Sequence, residues 1–296
     1  MERIIRWLLN GDISIQYMTH YYLMKSDKTI LSQLQNRIAE EGFGARFLSC
    51  RNENGHWGIF YYQPKWTSTH YTLLDLKNLY VPDTLKQCRD IVKRMFNECM
   101  NDDGGINLCK SKHDSDVCVD GMILNYASYF CSDESRITKL VDCILSAQKP
   151  TGGFSWYSEE GDPHSTICVL EGLAEYYKSG LQYKLRDVES SQAKAVEFLL
   201  ANRLFIENAD KRFQKFSYPY RYRYDLLRAL EYFASQELLF DDRMQSALDW
   251  LQRKRKKDGL WYLENQHKGN VHFSMEEVNA PSRFITLKAL RILQVY

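Results

Sequence analysis

Thr151-Gly152-Gly153-Phe154, followed by Asp162-Pro163-His164-Ser165-Thr166-Ile167, sets a glycine-aromatic turn shortly before a helix start. The phrase recurs. Asn54-Gly55-His56-Trp57-Gly58 leads to Trp66-Thr67-Ser68-Thr69-His70, and Asp103-Gly104-Gly105-Ile106 leads to Asp116-Val117-Cys118-Val119-Asp120. Near the end, Asp258-Gly259-Leu260-Trp261 leads to Ala280-Pro281-Ser282-Arg283. Gly55, Gly104 and Gly152 are separated by steps of 49 and 48 residues. A period of that size marks a repeat architecture in which each unit buries its apolar face on the next.

Between the turns the periodicity is helical. Over 84–100, Leu85, Cys88, Ile91, Val92, Met95, Phe96 and Cys99 form one apolar stripe, the pattern of a helix buried on one side. Segments 30–40, 136–147, 190–201 and 241–251 are of the same kind. A second helix of different character follows each turn, at 69–79, 117–130, 165–177, 220–233 and 282–295. These carry apolar or small residues on most faces, as helices buried on both sides do. Aligned on their cores, they place Leu76, Tyr126, Leu173, Leu230 and Leu290 in one column. Seven positions earlier the column reads Thr69, Val119, Thr166, Arg223 and Arg283. The fourth repeat has no Gly-Gly turn and shows Phe216-Ser217-Tyr218-Pro219-Tyr220 instead. Segments 3–10 and 13–24, joined through Gly11-Asp12, give a further pair at the front.

Six helix pairs, each outer then inner, build either an open solenoid or a closed ring. An open stack needs polar capping repeats, whereas the last segment, Leu287 to Tyr296, is amphipathic to its end. The expectation is an all-α closed α/α toroid forming one domain over 1–296, with 1–50 the less typical part and 51–296 the glycine-aromatic repeats.

Composition narrows the function classes. A net charge of +1 argues against a general nucleic-acid binder, which carries a clearly basic field. The basic run Arg253 to Lys257 reads as the solvated end of a helix, where cations suit the dipole. No apolar run reaches the length of a membrane span, and the first residues lack the pattern of a secretory signal. Eight cysteines, at 50, 88, 99, 109, 118, 131, 143 and 168, contain no Cys-x-x-Cys pair, so reduced thiols in a cytoplasmic protein are expected.

The glycine-aromatic turn feeding an inner helix resembles the squalene-cyclase and protein-prenyltransferase superfamily, whose repeats build an α/α toroid. The resemblance covers roughly 50–296. It implies a central cavity for a hydrophobic, isoprenoid-type ligand, with the chemistry at the inner-helix N-termini, which also favour anions. Cyclases of this kind carry Asp-x-Asp-Asp-Thr-Ala at one inner-helix start. Asp162-Pro163-His164-Ser165-Thr166-Ile167 keeps that frame but sets His164 where the protonating acid stands and Ser165 at the next carboxylate. Imidazole is too weak an acid to form a carbocation readily, yet suits general acid/base work near neutral pH.

His164, Asp116 and Asp120 are therefore the catalytic candidates, with His70, Cys118, Ser165, Tyr220, Tyr222, Tyr224 and Arg283 as substrate-binding candidates. No cofactor is required on this reading. The alternative is zinc-dependent prenyl or alkyl transfer, because prenyltransferases of this fold hold zinc through Asp-x-Cys and a histidine. Asp116-Val117-Cys118 with His164, or His70, would supply that set. A third reading is a non-catalytic binding or scaffolding toroid. The aromatic residues near the turns divide into staples between repeats (Trp57, Phe154, Trp261) and a stretch expected at the cavity or its mouth, Tyr218 to Tyr224.

Overall fold

The computed structural model describes residues 1–109 and 114–296, and among these the regular structure is helical, with strand pairing limited to isolated bridges. An outer set comprises α1 (Glu2–Leu9), α3 (Lys28–Ile38), α4 (Gly42–Ser49), α6 (Lys86–Cys99), α8 (Ile137–Ser146), α10 (Leu185–Ala201) and α12 (Gln245–Arg253). The inner set comprises α2 (Ile13–Met18, continued by the π-helical Thr19–Met24), α5 (Thr69–Asn78), α7 (Val117–Phe130), α9 (Pro163–Lys178), α11 (Leu226–Ser235) and α13 (Arg283–Val295). Burial separates the two as expected. On α6 the buried residues are Cys88, Ile91, Val92, Met95, Phe96 and Cys99, a single stripe. On α7 every residue except Tyr129 is buried.

From α5 through α7, α9 and α11 to α13, successive inner helices touch, and α13 packs against α2 and its π-helical continuation. Tyr17 and Tyr22 of that pair pack on Tyr80 just past α5 and so close the ring, and the toroid read from the sequence is the fold. At the α7–α9 seam a Cβ on Gly172 would lie 2.3 Å from the Gly121 carbonyl oxygen. Only glycine lets the two backbones approach so closely.

The repeated turn has one backbone geometry. Gly55, Gly104, Gly152 and Gly259 have φ of +86°, +90°, +88° and +87°, the left-handed region that favours glycine. Each glycine N–H donates to the carbonyl three residues earlier, on Asn52, Asn101, Lys149 and Lys256. The apolar residue two positions on (Trp57, Ile106, Phe154 and Trp261) is buried. Both tryptophan indoles donate ten residues back to the end of the preceding outer helix, Trp57 to the Phe47 carbonyl at 2.7 Å and Trp261 to the Leu251 carbonyl at 2.8 Å. The stapling role expected for Trp57 and Trp261 is what these bonds perform.

The same turns correct the register of the inner helices. Backbone N–H groups of Trp57, Phe154 and Trp261 donate to the hydroxyls of Thr69, Thr166 and Thr286, and Ile106 N–H donates to the Asp120 carboxylate. The equivalent residues are thus Thr69, Asp120, Thr166 and Thr286, so Val119 was one place out and Arg283 three. Leucine and alanine spacing alone does not distinguish these shifts, because a helix buried on all faces has no polar stripe to anchor its phase.

Two further differences have local causes. The expected helix over 220–233 begins only at Leu226, where the Asp225 carboxylate caps the Arg228 N–H at 2.9 Å. Upstream, Arg221 takes φ +59° and the segment 218–224 stays unwound. At the front, α4 adds a second helix before the first glycine turn. Asp12 makes this possible by accepting Ser14 N–H at 2.9 Å and Phe43 N–H at 2.7 Å, capping α2 and α4 together.

Candidate functional site

At the N-terminal ends of the inner helices, loops from distant parts of the chain converge. Trp66 is buried, and its indole donates to the Lys268 carbonyl at 2.7 Å. It packs edge-on to Tyr71 and stacks against Tyr222, with ring centroids 4.8 and 6.0 Å away. The Arg221 guanidinium lies 5.6 Å from the same indole and forms an ion pair with Asp75, both side chains buried. Tyr218 stacks on Phe284 at 3.9 Å. The unwound segment 218–224 thus packs against residues of α5 and α13 and narrows the bore of the ring. What remains is a central space of about 120 Å³ toward the C-terminal ends of the inner helices, walled by charged side chains and by tyrosines.

A second pocket, of about 180 Å³, lies at the N-terminus of α7. Tyr62, Ile106, Leu108, Val119 and Trp156 give it an apolar wall, and Asp116 stands at its edge. Trp156 and Tyr157 are largely exposed beside it. Asp116 caps α7 by accepting the Cys118 N–H at 2.9 Å. Burial, reinforced by the neighbouring Asp162 carboxylate, raises its pKa above the ordinary aspartate value. A half-buried acid facing an apolar pocket can exchange a proton nearer to neutrality than a free one.

Asp120, one turn along α7, is engaged differently. Its two oxygens accept from Ile106 N–H at 2.8 Å and Ser115 Oγ at 2.6 Å, joining the turn to the helix. Burial pushes its pKa up to about 7. His164 lies apart from the apolar pocket, half-buried against Phe213 and Tyr222. Tyr224 N–H donates to its Nδ1 at 2.8 Å. Burial, with Arg223 and Arg228 nearby, lowers its pKa to about 4. At neutral pH the ring is therefore uncharged with its proton on Nε2, a hydrogen-bond donor.

The remaining candidates scatter. Ser165 is buried against Asp162, its Oγ donating at 2.7 Å and its N–H at 2.9 Å. His70 is fully buried beside the Tyr126 hydroxyl at 3.2 Å, and burial lowers its pKa to about 3. The Cys118 thiol faces Cys168 and is pushed well above the ordinary range. Tyr220 lines the central space, Tyr222 joins the Trp66–His164 cluster, and the Tyr224 hydroxyl donates to the Leu204 carbonyl at 2.6 Å. Arg283 turns outward, its guanidinium 4.5 Å over the Trp7 ring, and binds α13 to α1 at the closing seam. Among the described residues no three His, Cys, Asp or Glu side chains gather closely enough to hold a metal ion. Asp116, Cys118 and His164 thus do not fit a zinc site. No helix among these residues is long and apolar enough to cross a membrane.

Sequence reasoning missed the ionic centre. Arg228 donates to Glu171 twice, Lys77 pairs with Glu175 at 2.9 Å, and Lys288 pairs with Glu231. The available signal was charged pairs three or four residues apart on otherwise apolar inner helices: Glu171 and Glu175, Arg228 and Glu231, Lys288 and Arg291.

Comparison with known proteins agrees with the fold. Residues 9–208 match the prenyltransferase alpha-alpha toroid domain, more than half of the chain, and the chain belongs to that family. A protein from Actinoplanes of solved structure is 18% identical with a TM-score of 0.51, over 96% of this chain and 90% of that one. The type II terpene cyclase MstE from Scytonema is 17% identical with a TM-score of 0.33, over 91% of this chain and 98% of that one. No curated protein sequence matches significantly.

Proposed function

We propose that this toroid holds the apolar end of a small ligand, of isoprenoid type, in the pocket at the α7 N-terminus, with Asp116 as the group that exchanges a proton with it. The observation that carries the reading is the pairing of that apolar wall with a carboxyl of raised pKa at its edge. Family membership supports the ligand class. The pocket's volume suits a short branched chain end, and the exposed rings of Trp156 and Tyr157 give the rest of the ligand a surface to lie on. In this reading Tyr62 and Val119 position the chain end, and His164, which lies apart from the pocket, takes no part.

Equilibrium dialysis with prenol and geraniol tests the binding. Saturable binding that Val119→Trp weakens at least tenfold supports it; binding indifferent to a filled pocket removes it. Proton exchange is read separately, as deuterium from D2O that becomes bound to a carbon of the alcohol, since the hydroxyl hydrogen exchanges unaided. Asp116→Asn should retain binding and lose the exchange.

A further inference from the structure

The charged space at the ring centre opens toward the C-terminal ends of the inner helices, away from the apolar pocket. Four carboxylates stand in or beside it, and each has its own cation. Asp75 is held by Arg221, Glu171 by Arg228, Glu175 by Lys77 and Glu231 by Lys288. Two further cations on its wall have no carboxylate of their own. Lys178 makes no ion pair among the described residues, and Arg291 approaches the already paired Glu231 no closer than 3.9 Å, its guanidinium resting 3.7 Å over the Tyr22 ring. Among the described residues neither side chain donates a hydrogen bond to a helix-end carbonyl.

A second observation is independent of charge. Asn125 of α7 also lines this space, is 3% exposed, and its Oδ1 has no hydrogen-bond partner. An unpaired buried amide oxygen costs about 1–3 kcal/mol, so a ligand that brings a donor to it gains from the contact. We infer that the central space binds a compact oxyanion carrying two negative charges and a hydrogen-bond donor, the charges facing Lys178 and Arg291 and the donor facing Asn125. Hydroxylated dicarboxylates and hydrogen phosphate share this chemistry. The space, about 120 Å³, corresponds to about four water volumes and admits either. The site is separate from the apolar pocket and stands or falls without it.

Isothermal titration at low ionic strength with L-malate, succinate, hydrogen phosphate and L-lactate tests the inference. L-Malate or hydrogen phosphate should bind, whichever is tighter naming the source, while lactate, with one charge, should bind at least tenfold more weakly. Arg291→Gln should weaken the dianion at least tenfold, and Lys178→Gln, at the exposed rim, should weaken it less. Asn125→Leu should abolish any preference of L-malate over succinate, and Val119→Trp in the other pocket should leave dianion binding unchanged. Failure of both dianions to bind overturns the proposal, as does equal binding of lactate or undiminished binding by folded Arg291→Gln protein.

Discussion

Arg228 of α11 holds Glu171 of α9 through two nearly parallel hydrogen bonds, Nε to Oε1 at 2.8 Å and Nη2 to Oε2 at 2.7 Å. The arginine is 2% exposed. A third bond, from Nη1 to the Arg223 carbonyl at 2.8 Å, ties the unwound segment before α11 to the same group.

Removing one partner strands the other. Arg228→Met should destabilise the protein by about 3–5 kcal/mol, the usual cost of leaving a buried charge uncompensated. The double variant Glu171→Met with Arg228→Met should recover most of that loss, because two apolar side chains of similar size leave no charge behind. Urea denaturation of the three proteins checks this; a double variant as unstable as Arg228→Met alone contradicts it.

Gly172 tests the α7–α9 seam. An added Cβ meets the Gly121 carbonyl oxygen at 2.3 Å, which only a shift of one helix can relieve. Gly172→Ala should cost about 1–3 kcal/mol, the range for overpacking a tight core. Gly180, with open space around its Cβ position but φ +80°, provides a comparison in which only backbone strain acts. Thermal melts should show a larger drop in Tm for Gly172→Ala than for Gly180→Ala.

Asp120 sets a pH dependence whose direction follows from its folded pKa of about 7, raised by burial from 3.8. Below the lower value the carboxyl is protonated in both states. As pH rises toward 7 the unfolded chain ionises first, so stability is lost over that range. Asp120→Asn keeps an oxygen for Ile106 N–H and cannot ionise. Between pH 4 and 7 it should gain stability relative to the natural protein, by about 1.4 kcal/mol for each unit of pKa difference. Urea midpoints at pH 4, 5.5 and 7 measure this, and parallel curves for the two proteins would falsify it.

Much of the ring is legible in the sequence. The glycines at φ near +90° are the glycines of the repeated phrase, and the α6 stripe is the stripe that is buried. The candidate site was legible only in fragments. Asp116 does sit beside an apolar pocket, but His164 and Arg283 lie elsewhere, and nothing in their local sequence reports which wall they face. Asp120 lies on the position that other repeats fill with threonine, and its contacts are those of that threonine.

Sequence by itself determined the repeat, the alternation of one-sided and all-round helices, and hence the toroid, because each of these is written in spacings of a few residues. The contents of the bore were decided by tertiary structure alone. Arg221 meets Asp75 across 146 residues, and Trp66 meets Lys268 across 202. Such contacts exist only once the ring closes, since closure brings side chains from separate repeats within reach of one another, and a buried charge is stabilised by a partner there.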